Sequence, residues 1–577
     1  MRTFNSPAAV REQATDPASR WRAFFTLGLL AVVLSLALLQ CRAWNALPNA
    51  DGISYLELAA RYARGDATAV ANGYWSPLYP ALLGAAQRMA TVAHVRTDGA
   101  VPSELQVALV VNMVIVTFAT LAVAQLLWAL HTRVPTTLSP MQRVARLSAG
   151  GAVWLWCCVR LIGATAITPD MLIAAWLSLA TAELVAMAGE PPSIRRAGRL
   201  AVILALGYWT KAVFFPVMIA GALAYMCLAR GTRISARLAP LGIALALAAP
   251  LVTVQSVSQG HLTFGETGRL NYDWYVNDIP KIAPRFETVA QSRSRRNDAP
   301  RVVQLASSPH AALYTGELPG SFPFWHDATR YVERRPLVIS WPAQWRVIRA
   351  NLHWYRVVAG ALALPCLVVL AAGVGRAPIE RRRSLAAVPA LSLAGLHLLS
   401  HPEGRLAGAA IATLLTLTVY LNGSPRGAAP ARAAAMLWAI EYVALAVVSV
   451  LALGRVSERV SLGRAELARS PAERLTQLGL RPGDRVALVG SPFGQYWAHQ
   501  AGVRIAVTVD VEPTAPPSGS ELTAIAAESC ARGYPLAAIL SVDGGLRYWP
   551  VRNTNCAARE PARDALVPEA ITQSATP

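Results

Sequence analysis

Ionisable residues are scarce in this chain, and several of them fall where long apolar runs end. Asp51 lies in Pro48-Asn-Ala-Asp51-Gly-Ile-Ser-Tyr55, Asp170 in Ile167-Thr-Pro-Asp170, and Lys211 in Tyr208-Trp-Thr-Lys211. His401, Glu403 and Arg405 share Ser400-His-Pro-Glu-Gly-Arg405. Two carboxylates and two cations at one level suit the transfer of a group from a lipid-linked phosphate. Lys211 and Arg405 bind the phosphate charge and stabilise it as it leaves. A carboxylate takes the proton of the acceptor hydroxyl, and does so best when partial burial lifts its pKa. Only two lysines occur in the whole chain, Lys211 and Lys281.

Each of these residues also has an ordinary structural reading. Asp51 precedes a helical stretch and Asp170 follows a proline at a helix start, both favoured places for a cap. A lysine at the end of an apolar run is commonly a snorkelling anchor, and His401 with Arg405 can form a solvated turn. Co-location is what separates the two readings. Tyr74-Trp75-Ser-Pro-Leu-Tyr79-Pro80 reads equally as an interfacial belt segment or as a wall of a lipid or sugar groove. His261, Trp325, His326 and His353 show no metal-ligand spacing, and no Walker A, Ser-His-Asp or zinc pattern is present.

The elements that must position these residues are membrane helices. The chain has 577 residues, 54% hydrophobic and only 15% charged, against about 25% charged in soluble domains. Mean hydropathy is +0.37. Disordered, fibrous and ordinary cytosolic classes are thereby excluded. Apolar runs long enough to cross a bilayer fall at roughly 23–41, 105–130, 147–165, 169–188, 199–213, 214–229, 238–257, 355–375, 385–399, 406–421 and 433–453. That makes about eleven spans, with 199–229 taken as a tight helical pair.

The net charge is +20. The arginines are dispersed in short clusters between apolar runs, which points to lipid rather than nucleic acid. Arg133 and Arg143, then Arg195, Arg196 and Arg199, then Arg230, Arg233 and Arg237, then Arg376 to Arg383, then Arg426 and Arg432 occupy alternate loops. The positive-inside rule puts those loops and the N-terminal tail, 1–22, in the cytoplasm. The first apolar run lacks a small-residue cleavage site and is expected to be a retained anchor.

Three large segments then face outward: 42–104, 258–350 and the tail. In the first, Leu56, Leu58, Ala59, Tyr62 and Ala63 predict a short amphipathic helix at the membrane surface, and a second helix is expected over 81–93. The expected domains are the tail 1–22, a membrane module over 23–453, and an extracytoplasmic unit over 454–577. In the last, strands near 485–490, 504–509 and 535–541 alternate with helices near 493–501 and 521–532, as in a small α/β fold. Seven cysteines give no framework, and Cys530 with Cys556 is the one expected pair if the tail faces an oxidising compartment.

The order of these motifs resembles the GT-C superfamily of integral-membrane glycosyltransferases, in particular the bacterial protein mannosyltransferase and aminoarabinose transferase-like group. The resemblance spans roughly 20–425 and rests on Asp51-Gly-Ile-Ser-Tyr55-Leu-Glu-Leu-Ala, Trp75-Ser-Pro-Leu-Tyr79-Pro80, Thr168-Pro-Asp170, the Lys211 turn and Glu403-Gly-Arg405. It implies a mainly α, multi-pass bundle in the bacterial cytoplasmic membrane, and inverting transfer from a polyprenyl-phosphate sugar to an envelope acceptor at the outer face. By the resemblance Asp51 is the catalytic aspartate, Asp170 the second acidic position, and Lys211 and Arg405 the donor-phosphate ligands. Tyr55, Tyr74, Trp75, Tyr79, His401 and Glu403 are expected to line the substrate groove. Asp51 is followed by Gly52 rather than a second acid, so no metal is firmly implied, although a divalent ion stays possible on this reading.

Two other classes compete. A transporter or flippase of polyprenyl-linked glycans needs polar or broken helices at mid-membrane, often in paired repeats, and no internal repeat occurs. A non-catalytic scaffold predicts that the four charged residues are scattered.

Overall fold

The structure is a computed structural model. It describes residues 17–43, 48–97, 103–133, 140–188, 193–229, 232–281, 300–316, 319–332, 336–361, 384–421, 471–511, 516–541, 547–551 and 569–570. The expected span 433–453, most of 355–375, and Arg230, Arg376 to Arg383, Arg426, Arg432, Cys366 and Cys556 lie outside the described residues.

The molecule is a multi-pass helical bundle with a mixed α/β unit packed on one end. The helices that build the site are α1 (Pro17–Ala43), α2 (Ala50–Ala63), α3 (Leu78–Thr97), α4 (Glu104–His131), α5 (Pro140–Trp156), α6 (Asp170–Met187), α7 (Ile194–Thr210), α8 (Phe214–Leu228), α9 (Ile234–Gln259) and α10 (Thr267–Tyr275), followed by Val388–Leu399 and Gly404–Leu421. Among the described residues four helices are long and apolar enough to cross a membrane: Arg20–Arg42, Glu104–His131, Asp170–Met187 and Ile234–Gln259. Shorter apolar helices, Phe214–Leu228, Leu385–Leu399 and Gly404–Thr418, pack among them.

Local chemistry sets the helix ends. Ser103 and Gln106 form a reciprocal capping box at the start of α4. Gly260, at φ +72°, closes α9 in a left-handed conformation that glycine adopts without strain. The pair α7 and α8 is joined by three residues, Lys211 to Val213, and a Cβ on Gly207 would come within 2.3 Å of the Phe214 ring. Glycine at 207 therefore allows the tight turn that exposes Lys211.

The two ends of α6 carry opposite partners. Asp170 at its start meets Lys211 after the end of α7, while Glu183 meets Arg199 near the start of α7, at 3.2 Å. At 1.5 Å per residue those ion pairs lie about 20 Å apart along the helix. The Arg195, Arg196 and Arg199 cluster at the start of α7 and the candidate site thus lie toward opposite ends of α6.

The sheet has seven strands in the order β1-β2-β4-β3-β5-β6-β7: Val302–Ser307, His310–Tyr314, Arg485–Val489, Arg504–Val509, Ala538–Ser541, Arg547–Pro550 and Glu569–Ala570 in chain order. β3 pairs in parallel with β4 and β5, and the remaining pairs are antiparallel. The three strands expected from the tail are present. The sheet is nevertheless not confined to 454–577, because β2 from the middle loop pairs with β4 through Ala311↔Val509. Cys530 is disulfide-bonded.

Two expectations for the first outer segment need correction. The helix α2 is not a surface helix with one wet face: Gly52 to Ala59 are buried without interruption, because residues 321–326 and the C-terminal unit cover its other side. The second helix begins at Leu78, three residues before the expected 81, since Pro80 falls in its first turn, where a missing N–H costs nothing.

Candidate functional site

The site forms where the starts of α2, α6 and Gly404–Leu421 meet the α7–α8 turn. Asn49, not Asp51, caps α2: its side chain accepts the Gly52 N–H at 2.8 Å. Asp51 is left in the first turn with its carboxylate free to face another element. A Cβ on Gly52 would approach Asn49, Pro48 and Ile167 at 3.1–3.3 Å, so a larger residue beside Asp51 has little room. Asp170 does not cap α6 either, and makes no side-chain bond to the helix start.

Arg405 is placed by two glycines. A Cβ on Gly404 would lie 3.2 Å from the Leu161 carbonyl oxygen, and one on Gly408 only 2.8 Å from Ile162. Helix Gly404–Leu421 can therefore lie close against the π-helical stretch Cys157–Ile162 that ends α5, and π segments recur at functional sites.

All three guanidinium nitrogens of Arg405 are engaged. Nη2 donates to Asp51 Oδ2 at 2.6 Å, Nη1 to Asp170 Oδ2 at 3.5 Å and Nε to Glu403 Oε2 at 2.8 Å. Lys211 Nζ donates to Asp170 Oδ1 at 2.6 Å. The four residues read from separate loops thus meet in one ion-pair network. Their exposures differ in a useful way. The Asp170 side chain is 3% exposed, against 19% for Asp51 and 20% for Lys211. Among the described residues, Asp51 Oδ1 accepts no hydrogen bond. Asp51 is the reachable carboxylate, and Asp170 is the buried counter-ion that holds both cations.

Glu403 and His401 flank this network on the wetter side. His401 lies 3.3 Å from Glu403 and stacks on the Tyr275 ring at 4.2 Å. The hydrogen bond to His401, aided by the Arg405 guanidinium, takes the Glu403 carboxyl down to about 2 despite partial burial. Glu403 is thus ionised throughout the physiological range.

The aromatic residues divide. Tyr55 is buried one turn beyond Asp51. Burial, with Asp170 and Asp51 close by, pushes its hydroxyl well above the usual range. Tyr55, Tyr74 and Trp75 form one ring cluster, with centroids 4.9 Å (Tyr55–Trp75) and 4.6 Å (Tyr74–Trp75) apart. All three are buried, so the segment is not an exposed interfacial belt. Tyr79 is fully buried, and its hydroxyl donates to Asn112 Oδ1 at 2.8 Å.

Sequence reasoning gave no role to two groups that the structure assembles. Glu57 is buried on the same helix as Asp51. It accepts from the Ser321 N–H and hydroxyl at 2.6 and 2.5 Å, meets His326 Nδ1 at 3.2 Å, and lies 3.7 Å from His499. His499 also contacts Glu104 at 3.0 Å. The second group is Trp274, Tyr275 and Trp325, with Lys281 Nζ 5.0–5.7 Å from each ring centroid. Ser321, His326, Trp325 and Lys281 come from the long outer segment 258–350, and Trp274 and Tyr275 from the short helix α10 within it. The density of aromatics around Trp274 and Trp325 was the available signal.

The network does not suit a divalent metal, since Asp51 and Asp170 face a guanidinium and an ammonium rather than a shared vacant centre. Among the described residues no group of three or more His, Cys, Asp or Glu side chains is placed to hold a metal ion.

No protein-family model matches the chain. No curated protein matches it either. Among solved structures, the chain is similar to the crystal structure of ArnT from Cupriavidus metallidurans bound to undecaprenyl phosphate, at 14% identity over 93% of this chain and 97% of that chain, with a TM-score of 0.46.

Proposed function

We propose that this protein is a GT-C-type membrane glycosyltransferase that moves a sugar from a polyprenyl-phosphate donor to an acceptor hydroxyl at the outer face of the cytoplasmic membrane. The observation that carries the reading is the Arg405 guanidinium, which gathers Asp51, Asp170 and Glu403 at one end of an apolar bundle. A scaffold has no need of a buried carboxylate with two cations. The order of the sequence motifs supports the same reading.

The residues divide the work by exposure. The acceptor oxygen attacks the anomeric carbon, a C–O glycosidic bond forms, and the bond from that carbon to the phosphate oxygen breaks with inversion. The acceptor proton passes to Asp51 Oδ1, the oxygen that Arg405 leaves free. The phosphate departs with one more negative charge, next to Arg405 and Lys211, which share themselves between it and Asp170. Asp170 keeps the two cations in place and is a positioning residue.

The test is to incubate the purified protein in lipid nanodiscs with a panel of labelled polyprenyl-phosphate sugars and membrane extract. Formation of a labelled product of new mass, together with released polyprenyl phosphate, is the expected result. Release of no carrier from any donor, with the donor instead moved across the bilayer, would assign the protein to transport.

A further inference from the structure

At Arg405 two cations face three carboxylates, so the site as built holds an excess of negative charge. The transfer proposed above ends on a phosphate monoester more highly charged than the diester that entered. A further cation is needed, and Lys281 meets the requirement. Among the described residues it has no carboxylate partner. Its Nζ donates to Tyr275 Oη at 3.1 Å, which leaves two of the three ammonium donors for another acceptor.

The ammonium is held rather than loose. It lies 5.7, 5.0 and 5.6 Å from the ring centroids of Trp274, Tyr275 and Trp325, within cation–π reach of all three. The rings shield one side and carry no formal charge, so among the described residues the cation stays uncompensated. Trp325 Nε1, on a residue 7% exposed, is also buried without a hydrogen-bond partner among the described residues. Among the described residues, a half-buried cation without a carboxylate and an indole N–H without an acceptor therefore belong to the same ring cluster. An anionic oxygen on the Lys281 ammonium relieves the charge deficit.

Two short chains of contact join this cup to Asp51 and Arg405. Tyr275 stacks on His401, which bonds Glu403, the carboxylate on Arg405 Nε. Trp274 and Trp325 each touch Tyr74, which packs on Trp75 and so reaches Tyr55, one turn from Asp51.

We propose that Lys281, seated over Trp274, Tyr275 and Trp325, binds a phosphate-ester anion beside the transfer site. The inference rests on the functional reading above and adds a residue to it. The anion has two sources, the polyprenyl carrier of the donor or a phosphorylated head group on the acceptor, and the two are separable by experiment.

The experiment measures equilibrium binding to the full-length protein in nanodiscs, for wild type, Lys281→Met and Lys281→Arg, with three probes: polyprenyl phosphate, uncharged polyprenol and a water-soluble sugar phosphate. Lys281→Met is expected to weaken a phosphate probe by about tenfold or more. Polyprenol binding stays as in wild type, and Lys281→Arg retains most of the affinity. An effect on polyprenyl phosphate alone assigns the carrier, and an effect on the sugar phosphate alone assigns the acceptor. Equal binding of both phosphates by wild type and Lys281→Met overturns the inference and leaves the glycosyltransferase reading standing, provided wild type binds polyprenyl phosphate. Loss of polyprenol binding in parallel, with a lowered melting temperature, makes Lys281 a packing residue and overturns it too. Wild type binding neither phosphate overturns the inference together with the reading.

Discussion

The guanidinium of Arg405 donates to the carboxylate of Asp51 at 2.6 Å across 354 positions of sequence. One side chain therefore reports whether the first outer segment and the Ser400–Arg405 turn are assembled. It also splits Asp51 into a bonded oxygen and an open one, the arrangement a general base needs when it must be oriented and still accept a proton.

Lys211 and Asp170 should behave as a unit. Removing Lys211 leaves a carboxylate that is 3% exposed with the 3.5 Å contact to Arg405 as its remaining ion pair among the described residues. Lys211→Met is expected to cost about 3–5 kcal/mol, the usual loss on breaking a buried pair from one side. The double variant Lys211→Met/Asp170→Leu should recover a large part of that loss. Melting temperatures of the two variants check this. A double variant less stable than the single would mean that Asp170 is anchored by something other than the two cations.

The contact between the bundle and the α/β unit should depend on pH. Burial works to lower the His499 pKa, but Glu104 and Glu57 outweigh it, so the folded value lies above the ordinary 6.5. A histidine raised in this way contributes stability that is complete below about 6.5 and lost as the pH climbs through the folded value. For Glu57 burial acts to raise the pKa, but His326, His499 and Ser321 outweigh it, so its contribution is present above about 4.5 and lost on acidification. Docking is thus strongest between those limits. The melting temperature of wild type should exceed that of His499→Gln clearly at pH 6, and the gap should narrow as the pH is raised to 9. A gap that stays constant across that range would contradict the assignment.

Helix Gly404–Leu421 should tolerate no methyl on its close face. Gly408→Ala puts a carbon 2.8 Å from Ile162 Cγ1, and overpacking of this kind costs about 1–3 kcal/mol. Ile162→Ala in the same chain should restore most of the lost stability, as well as any activity lost through displacement of Arg405. Lack of rescue would mean that the clash is absorbed elsewhere.

Tyr79→Phe separates a core residue from a groove residue. The change removes the hydrogen bond to Asn112 and is expected to cost about 1 kcal/mol, with donor and acceptor KM unchanged. A raised KM without loss of stability would make Tyr79 a groove residue instead.

The sequence discloses the charged half of the site well and the aromatic half poorly, for a physical reason. Asp51, Asp170, Lys211 and Arg405 are readable because bilayer-length apolar runs fix the level at which each run ends, and charges at those ends stand out against an apolar background. Glu57 is hidden because its partners, Ser321 and His326, lie 264 and 269 positions away in a loop that has no period. Strands β1 and β2 escaped notice although Val302-Val-Gln-Leu and Ala311-Ala-Leu-Tyr flank a Ser-Ser-Pro turn. Read with the rest of a long outer loop, they gave no hint that their pairing partner was in the tail. Asn49 as the cap of α2, in place of Asp51, was a local choice between two good caps that only the packing of Gly52 resolves.

The most direct test of the central claim compares wild type with Asp51→Asn in single-turnover transfer from a labelled polyprenyl-phosphate sugar. Asparagine can still accept from Arg405, so the variant should insert and melt like wild type. With no base at Oδ1, its rate of glycosidic bond formation should fall by about 100-fold to 10,000-fold. Transfer by Asp51→Asn at the wild-type rate would contradict the assignment of Asp51 as the base.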